Sequence, residues 1–109
     1  MRDYHLYIDD IRESARKILR YTENLTYDEF VNNEQVVDAV VRNFEIIGEA
    51  AARVSKEIQQ QYSCVPWKAM RGIRNILIHE YWGVDTDIIW KTIQESLPQL
   101  IKVLEEIKN

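Results

Sequence analysis

Four residue types that punctuate or cross-link proteins are scarce in this 109-residue chain: it has three glycines, two prolines, one cysteine and two histidines. So little glycine and proline leaves too few turn formers for the many tight turns of an all-β fold. The single cysteine, Cys64, has no intrachain partner for a disulfide, and a reducing cytoplasm is the simplest setting. One cysteine and two distant histidines, His5 and His79, make no recognisable zinc pattern. No metal and no cofactor is expected. Apolar runs stay far below the roughly 18 residues of a membrane span, and the opening MRDYHLYIDD lacks the apolar stretch of a secretion signal. No membrane association is expected. An excess of positive charge is missing too: 14 Lys and Arg face 18 Asp and Glu, a formal net charge of −4. Proteins that coat nucleic acid without specificity are usually strongly basic. That class is excluded, and only a focused cationic site is left open.

What is present reads as a globular helical protein. Hydrophobic residues make up 46% and charged residues 29% of the chain, a folded rather than disordered composition. The length suits one domain covering residues 1–109. From residue 3 to about 22, Leu6, Ile8, Ile11, Ala15, Ile18 and Leu19 recur near helical spacing. Arg12, Arg16 and Arg20 fall four apart on another face. They read either as a solvated row with carboxylate partners such as Asp9 and Glu13, or as a contribution to RNA binding. Thr26-Tyr27-Asp28-Glu29 has the capping-box pattern and opens a short helix. Asn33 then caps a long helix through about Tyr62, whose buried stripe is Val37, Val40, Val41, Phe44, Ile47, Ala51, Val54 and Ile58. Gly48, Ala50, Ala51 and Ala52 would let a neighbouring helix approach closely. Pro66 suits the first position of a further helix that stops near Gly83. Asp85 or Thr86 caps a last helix, in which Pro98 predicts a kink or break near Ser96-Leu97. The expectation is an all-α, up-and-down bundle of four main helices plus one short helix.

The stretch RGIRNILIHEYWGVD, residues 71–85, carries unusual chemistry for a core helix. At about 100° per residue, Ile76, Ala69, Ile73, Leu77 and Met70 share one apolar arc. The opposite arc holds Arg74, Ile78, Arg71, Trp82, Asn75, Lys68, His79 and Gly72, with Tyr81 at its edge. Asn75 stands four residues before His79, close enough on a helix to orient the imidazole. Arg74 and His79 are five apart, about 140° on an ideal helix. They meet on one phosphate only if it bridges the face, if the helix distorts, or if a second chain completes the site. Ile78 and Trp82, apolar within a polar arc, suggest a partner surface. The set suits metal-independent phosphodiester cleavage in RNA. A histidine with a pKa near about 6.5 can move the proton of a 2′-hydroxyl or of a leaving oxygen, and an arginine can hold the phosphoryl oxygens. Acid and base roles call for two groups, which a symmetric dimer supplies. The plain alternative treats His79 as a satisfied bundle histidine, Lys68 and Arg71 as solvated, and Tyr81 and Trp82 as packing residues. His5 lacks such surroundings and reads as structural.

Arg74-Asn75-Ile76-Leu77-Ile78-His79-Glu80-Tyr81 matches a pattern of arginine, four residues, histidine, any residue, tyrosine. It resembles the HEPN-domain ribonuclease toxins of the HepT type. The likeness extends through PWKAMRGIRNILIHEYWGVD at 66–85, RNFEIIGEAA at 42–51 and the Leu97-Pro98 pair, essentially the whole chain. The resemblance implies a HEPN-like homodimer whose two motifs line a shared cleft. It also implies a metal-independent endoribonuclease acting as the toxin of a toxin–antitoxin pair. The implied partner is an MntA-like minimal nucleotidyltransferase antitoxin that transfers AMP from ATP to the motif tyrosine, here Tyr81. Carried over, Arg74 stabilises the phosphate, His79 is the acid or base, Asn75 orients them and Tyr81 is the control point. Arg71 and Lys68 come from the face analysis as further phosphate contacts. An alternative keeps the bundle as a non-catalytic nucleotide-binding or partner-binding module of a nucleotidyltransferase, in which His79 would be dispensable.

Overall fold

Asp3 starts the first helix, α1 (Tyr4–Thr22), by accepting the backbone N–H of His5 at 2.9 Å. The His5 ring Nδ1 also lies 2.9 Å from the same carboxylate oxygen. These contacts, the backbone N–H first, hold the Asp3 carboxyl below the usual carboxylate range. His5 is therefore part of a helix cap, in line with its structural reading. The structure, a computed structural model, describes residues 3–78 and 85–107, and for residues 74–78 the backbone alone. On α1 the residues Ile8, Ile11, Ala15 and Ile18 are buried. Leu6, expected on that stripe, is 45% exposed. It stands two residues from Ile8, on nearly the opposite side of the helix.

Helix α2 (Tyr27–Val31) opens with the reciprocal capping box. The Glu29 N–H donates to Thr26 Oγ1 at 3.2 Å, and the Thr26 N–H donates to Glu29 Oε1 at 2.9 Å. Its one buried side chain, Phe30, stacks 5.1 Å from the Trp90 ring. The side chain of Asn33 accepts from Val36 N–H at 3.2 Å and starts α3 (Glu34–Arg53).

The long helix expected through Tyr62 is interrupted. Val54 is extended, with ψ of 131°, and Ser55 caps a separate α4 (Lys56–Gln61) by accepting from Ile58 N–H at 3.4 Å. Gln59 Nε2 donates to the Val54 carbonyl at 2.9 Å, satisfying a group freed by the break. A serine that can serve as an N-cap competes well with helix continuation. Among the described residues, α4 is thus a further short helix beside α2, where the long helix was expected to continue.

Helix α5 (Trp67–Ile78) follows Pro66, whose carbonyl accepts from Met70 N–H at 3.0 Å. Asp85 caps α6 (Thr86–Lys91). The chain then passes through a π-helical turn, Thr92–Ser96, into α7 (Leu97–Glu105). There the Leu97 N–H donates to the Thr92 carbonyl, five residues back. Pro98 lacks an N–H and its ring crowds the carbonyl four residues earlier. The widened turn accommodates both, so the expected disruption takes the form of a π turn just before the proline.

The fold is all-α. α3 packs against α1 on one side and α5 on the other, and α7 packs on α1. Phe44, Ile47, Val40 and Ala51 of α3 sit at the centre of the core, met by the α1 stripe and by Ile93, Leu97 and Leu104. Gly48 and Ala50, both buried, keep this central helix slim. No helix among the described residues is long and apolar enough to cross a membrane.

The arginine row of α1 is largely engaged. Arg12 Nη1 donates to Asp9 at 3.1 Å, while Nη2 donates to the carbonyls of Leu104 at 2.8 Å and Ile107 at 3.3 Å. Arg16 pairs with Glu105 at 3.1 Å. Arg20 lies 5.5 Å from the Tyr21 ring centre. The row clamps the C-terminal helix to α1, and only its Asp9 pair matches the local carboxylate reading.

Candidate functional site

The residues leading into the motif are fixed by an anchored tryptophan. Trp67 is 6% exposed, and its indole Nε1–H donates to the Tyr62 carbonyl at 3.0 Å. Met70 is buried, and Ile73 packs against the core one turn further on. Positions 67, 70 and 73 therefore form the seam that holds α5 to the bundle. Ala69, expected on the apolar arc, is exposed. The real stripe centres on Trp67 and Met70, which turns Ala69 outward.

The same rotation puts Lys68 and Arg71 on the exposed side, as expected. They face a groove of about 1000 Å³ whose other wall is α4, with Lys56, Gln59 and Gln60. Arg71 Nη1 donates to Gln59 Oε1 at 2.7 Å. Gly72 also borders the groove, and a Cβ added there would meet nothing within 4 Å. Sequence reasoning missed the α4 side entirely. The signal was Ser55: once it is read as an N-cap, Lys56 and Gln59 fall one turn apart on a new helix that folds back beside α5.

Arg74, Asn75 and Ile78 lie on the helical backbone of α5. Their side chains, like the whole of His79, Tyr81 and Trp82, lie outside the described residues. Just beyond that stretch, the chain is tied to α2. The Tyr27 phenol donates to the Asp87 carboxylate and lies 3.2 Å from Thr86 Oγ1. The hydrogen bond to Asp87 pushes the Tyr27 phenol above the usual tyrosine range. Thus α5 enters the motif from the Trp67 anchor, and α6 leaves it with Asp85 as its cap and Tyr27 as its tether. Among the described residues, no group of three or more His, Cys, Asp or Glu side chains is gathered so as to hold a metal ion.

A family model described as "Ribonuclease HepT-like" matches residues 11–107. The chain belongs to the HepT-like ribonuclease family. Three relatives show how evenly this HepT-like chain is covered. It is similar to "Putative RNase MJ1380" of Methanocaldococcus jannaschii, 41% identical over 104 residues and 95% of each chain. It is similar to "Putative RNase TTE0752" of Caldanaerobacter subterraneus, 39% identical over 101 residues, 93% of this chain and 90% of the relative. It is similar to "Probable ribonuclease HepT" of Thermococcus cleftensis, 33% identical over 108 residues, 99% of this chain and 98% of the relative. No solved structure matches the HepT-like chain significantly.

Proposed function

We propose that this protein is a metal-independent endoribonuclease that acts as one HEPN domain and cuts RNA at a site shared by two copies of the chain. The observation that carries the proposal is the Arg74…His79 motif of the sequence, whose Arg74 lies on α5, in a HepT-like chain whose relatives are named as RNases. In the reaction, His79 of one copy takes the proton of a ribose 2′-hydroxyl. The 2′-oxygen attacks the adjacent phosphorus and the bond to the 5′-oxygen breaks. His79 of the second copy gives that leaving oxygen its proton. The products are a 2′,3′-cyclic phosphate and a free 5′-hydroxyl. Arg74 holds the non-bridging oxygens as charge gathers on them, and Asn75 orients the imidazole. Ile78 and Trp82 belong to the contact between the copies.

The protein serves as the toxin of a cytoplasmic pair, and an MntA-like nucleotidyltransferase neutralises it. The antitoxin moves AMP from ATP onto the Tyr81 oxygen and releases pyrophosphate. The added phosphate then competes with RNA for the guanidinium of Arg74.

The test is cleavage of RNA in the presence of a chelator by the wild type, Arg74→Ala and His79→Ala. Loss of a positioned acid or base lowers the rate by about 10²–10⁴-fold. Equal cleavage by all three proteins would sink the proposal.

A further inference from the structure

We propose that the groove between α4 and the first turns of α5 binds the phosphodiester backbone of single-stranded RNA beside the cut, with Lys56, Lys68 and Arg71 as its charged contacts. This rests on the ribonuclease reading and adds to it a binding surface contributed by a second helix.

Charge sets this groove apart. The chain as a whole carries more acid than base, 18 against 14. Yet three cations line the groove and no described carboxylate does. The arginines of α1 show the usual alternative, since Arg12 and Arg16 each meet a carboxylate. Lys56, Lys68 and Arg71 form no ion pair among the described residues. Arg71 is oriented by a neutral amide oxygen, that of Gln59 at 2.7 Å. That contact orients the guanidinium, and no carboxylate among the described residues pairs with its charge. That arrangement suits an incoming anion, because orientation has been settled before binding and no carboxylate need be displaced.

Shape and chemistry favour a polymer backbone over a nucleotide held by its base. The aromatic residue of the lining, Trp67, is buried and its N–H is committed to the Tyr62 carbonyl. No described aromatic ring in the groove is therefore free to stack a base. Gly72 presents bare backbone to open space, where a strand can lie close. Phosphate contacts of this kind position a nucleic acid without reading its sequence. The groove also leads into the motif, since Arg74 follows Arg71 by three residues on the same helix, a rise of about 4.5 Å. A strand held by Lys68 and Arg71 is thereby delivered towards Arg74.

The test separates binding from cutting by measuring binding in the His79→Ala protein and cleavage with His79 intact. Binding of a labelled single-stranded RNA is followed by fluorescence anisotropy over a salt series. Each phosphate neutralised on a single strand contributes about 0.7 to the slope of log K against log salt. Changing Lys56, Lys68 and Arg71 together to Gln should lower that slope by about 2. The affinity loss should be at least tenfold at about 0.1 M salt and similar for RNAs of different sequence. Lys56→Gln alone, which leaves α5 untouched, should lower the slope by about 0.7. An unchanged slope in both variants would refute the groove, even while Arg74-dependent cleavage by the otherwise native protein upheld the ribonuclease reading. Binding of AMP or ATP, but not RNA, through these three residues would also overturn it. If the protein with His79 restored neither bound nor cut RNA, both proposals would fall together.

Discussion

Arg12→Met should loosen the C-terminal helix while leaving its surroundings packed. The guanidinium Nη2 donates to two carbonyls at the end of α7, Leu104 at 2.8 Å and Ile107 at 3.3 Å. A hydrogen bond from a charged donor contributes about 1.5–3 kcal/mol, so we take about 2 for the shorter contact, and for the longer one, weakened by its length, the ordinary value of about 1. Against this stands the buried Nε–H of Arg12, which has no partner. Its removal returns about 1 kcal/mol. Methionine keeps the apolar stem in place, so the net loss is about 2 kcal/mol. In a domain of this size about 1 kcal/mol moves Tm by about 4 °C, which predicts a fall of about 8 °C. Arg16→Met is the control. Its bridge to Glu105 joins side chains that are 50% and 55% exposed, and such pairs contribute at most about 1 kcal/mol and often nothing measurable. Thermal unfolding followed by circular dichroism compares the two. Equal shifts, or a fall below about 2 °C for Arg12→Met, would refute the assignment of Arg12 as the clamp.

Two further outcomes follow from local geometry. Gly72→Ala should stabilise the fold by about 0.5–1 kcal/mol, because a helical glycine carries an entropic cost and a methyl group there meets nothing within 4 Å. A lower urea midpoint would show that α5 is more crowded than described. The Tyr27 phenol, raised by its hydrogen bond to Asp87, should ionise above the ordinary tyrosine range, and Asp87→Asn should bring it back down. A raised folded-state value means that this contact stabilises the fold below the ordinary tyrosine pKa and is lost as pH climbs through the raised one. Phenolate absorbance during an alkaline titration of the wild type, Tyr27→Phe and Asp87→Asn reads the effect. Identical curves for the wild type and Asp87→Asn would contradict it.

Capping chemistry was the most legible part of the fold. Thr26 with Glu29, Asn33 and Asp85 each make the predicted cap contact. A short polar side chain finds its N–H within three residues, so such contacts depend on little beyond local sequence. The break at Ser55 was not legible in the same way. The apolar stripe continues through Val54 to Ile58, and periodicity alone does not report that the serine has ended one helix and begun another. The partners of Arg12 were hidden for a different reason. They are backbone carbonyls 92 and 95 residues away, and no local pattern announces a tertiary cap. At the candidate site, sequence placed Lys68 and Arg71 on a face that the structure leaves exposed. It had no means of bringing Lys56 and Gln59 opposite them, because that juxtaposition depends on how α4 folds back.

The chemistry assigned to the motif makes one requirement that neither binding nor folding shares: the ribose next to the cut must supply its own nucleophile. Single-turnover cleavage should therefore be compared, in chelator, on an RNA oligonucleotide and on the same oligonucleotide with one 2′-deoxy sugar at the mapped cut. The account predicts a fragment ending in a 2′,3′-cyclic phosphate from the first and no cut at that position in the second. Cleavage of both at equal rates, or cleavage of either only after a divalent metal is added back, would contradict it.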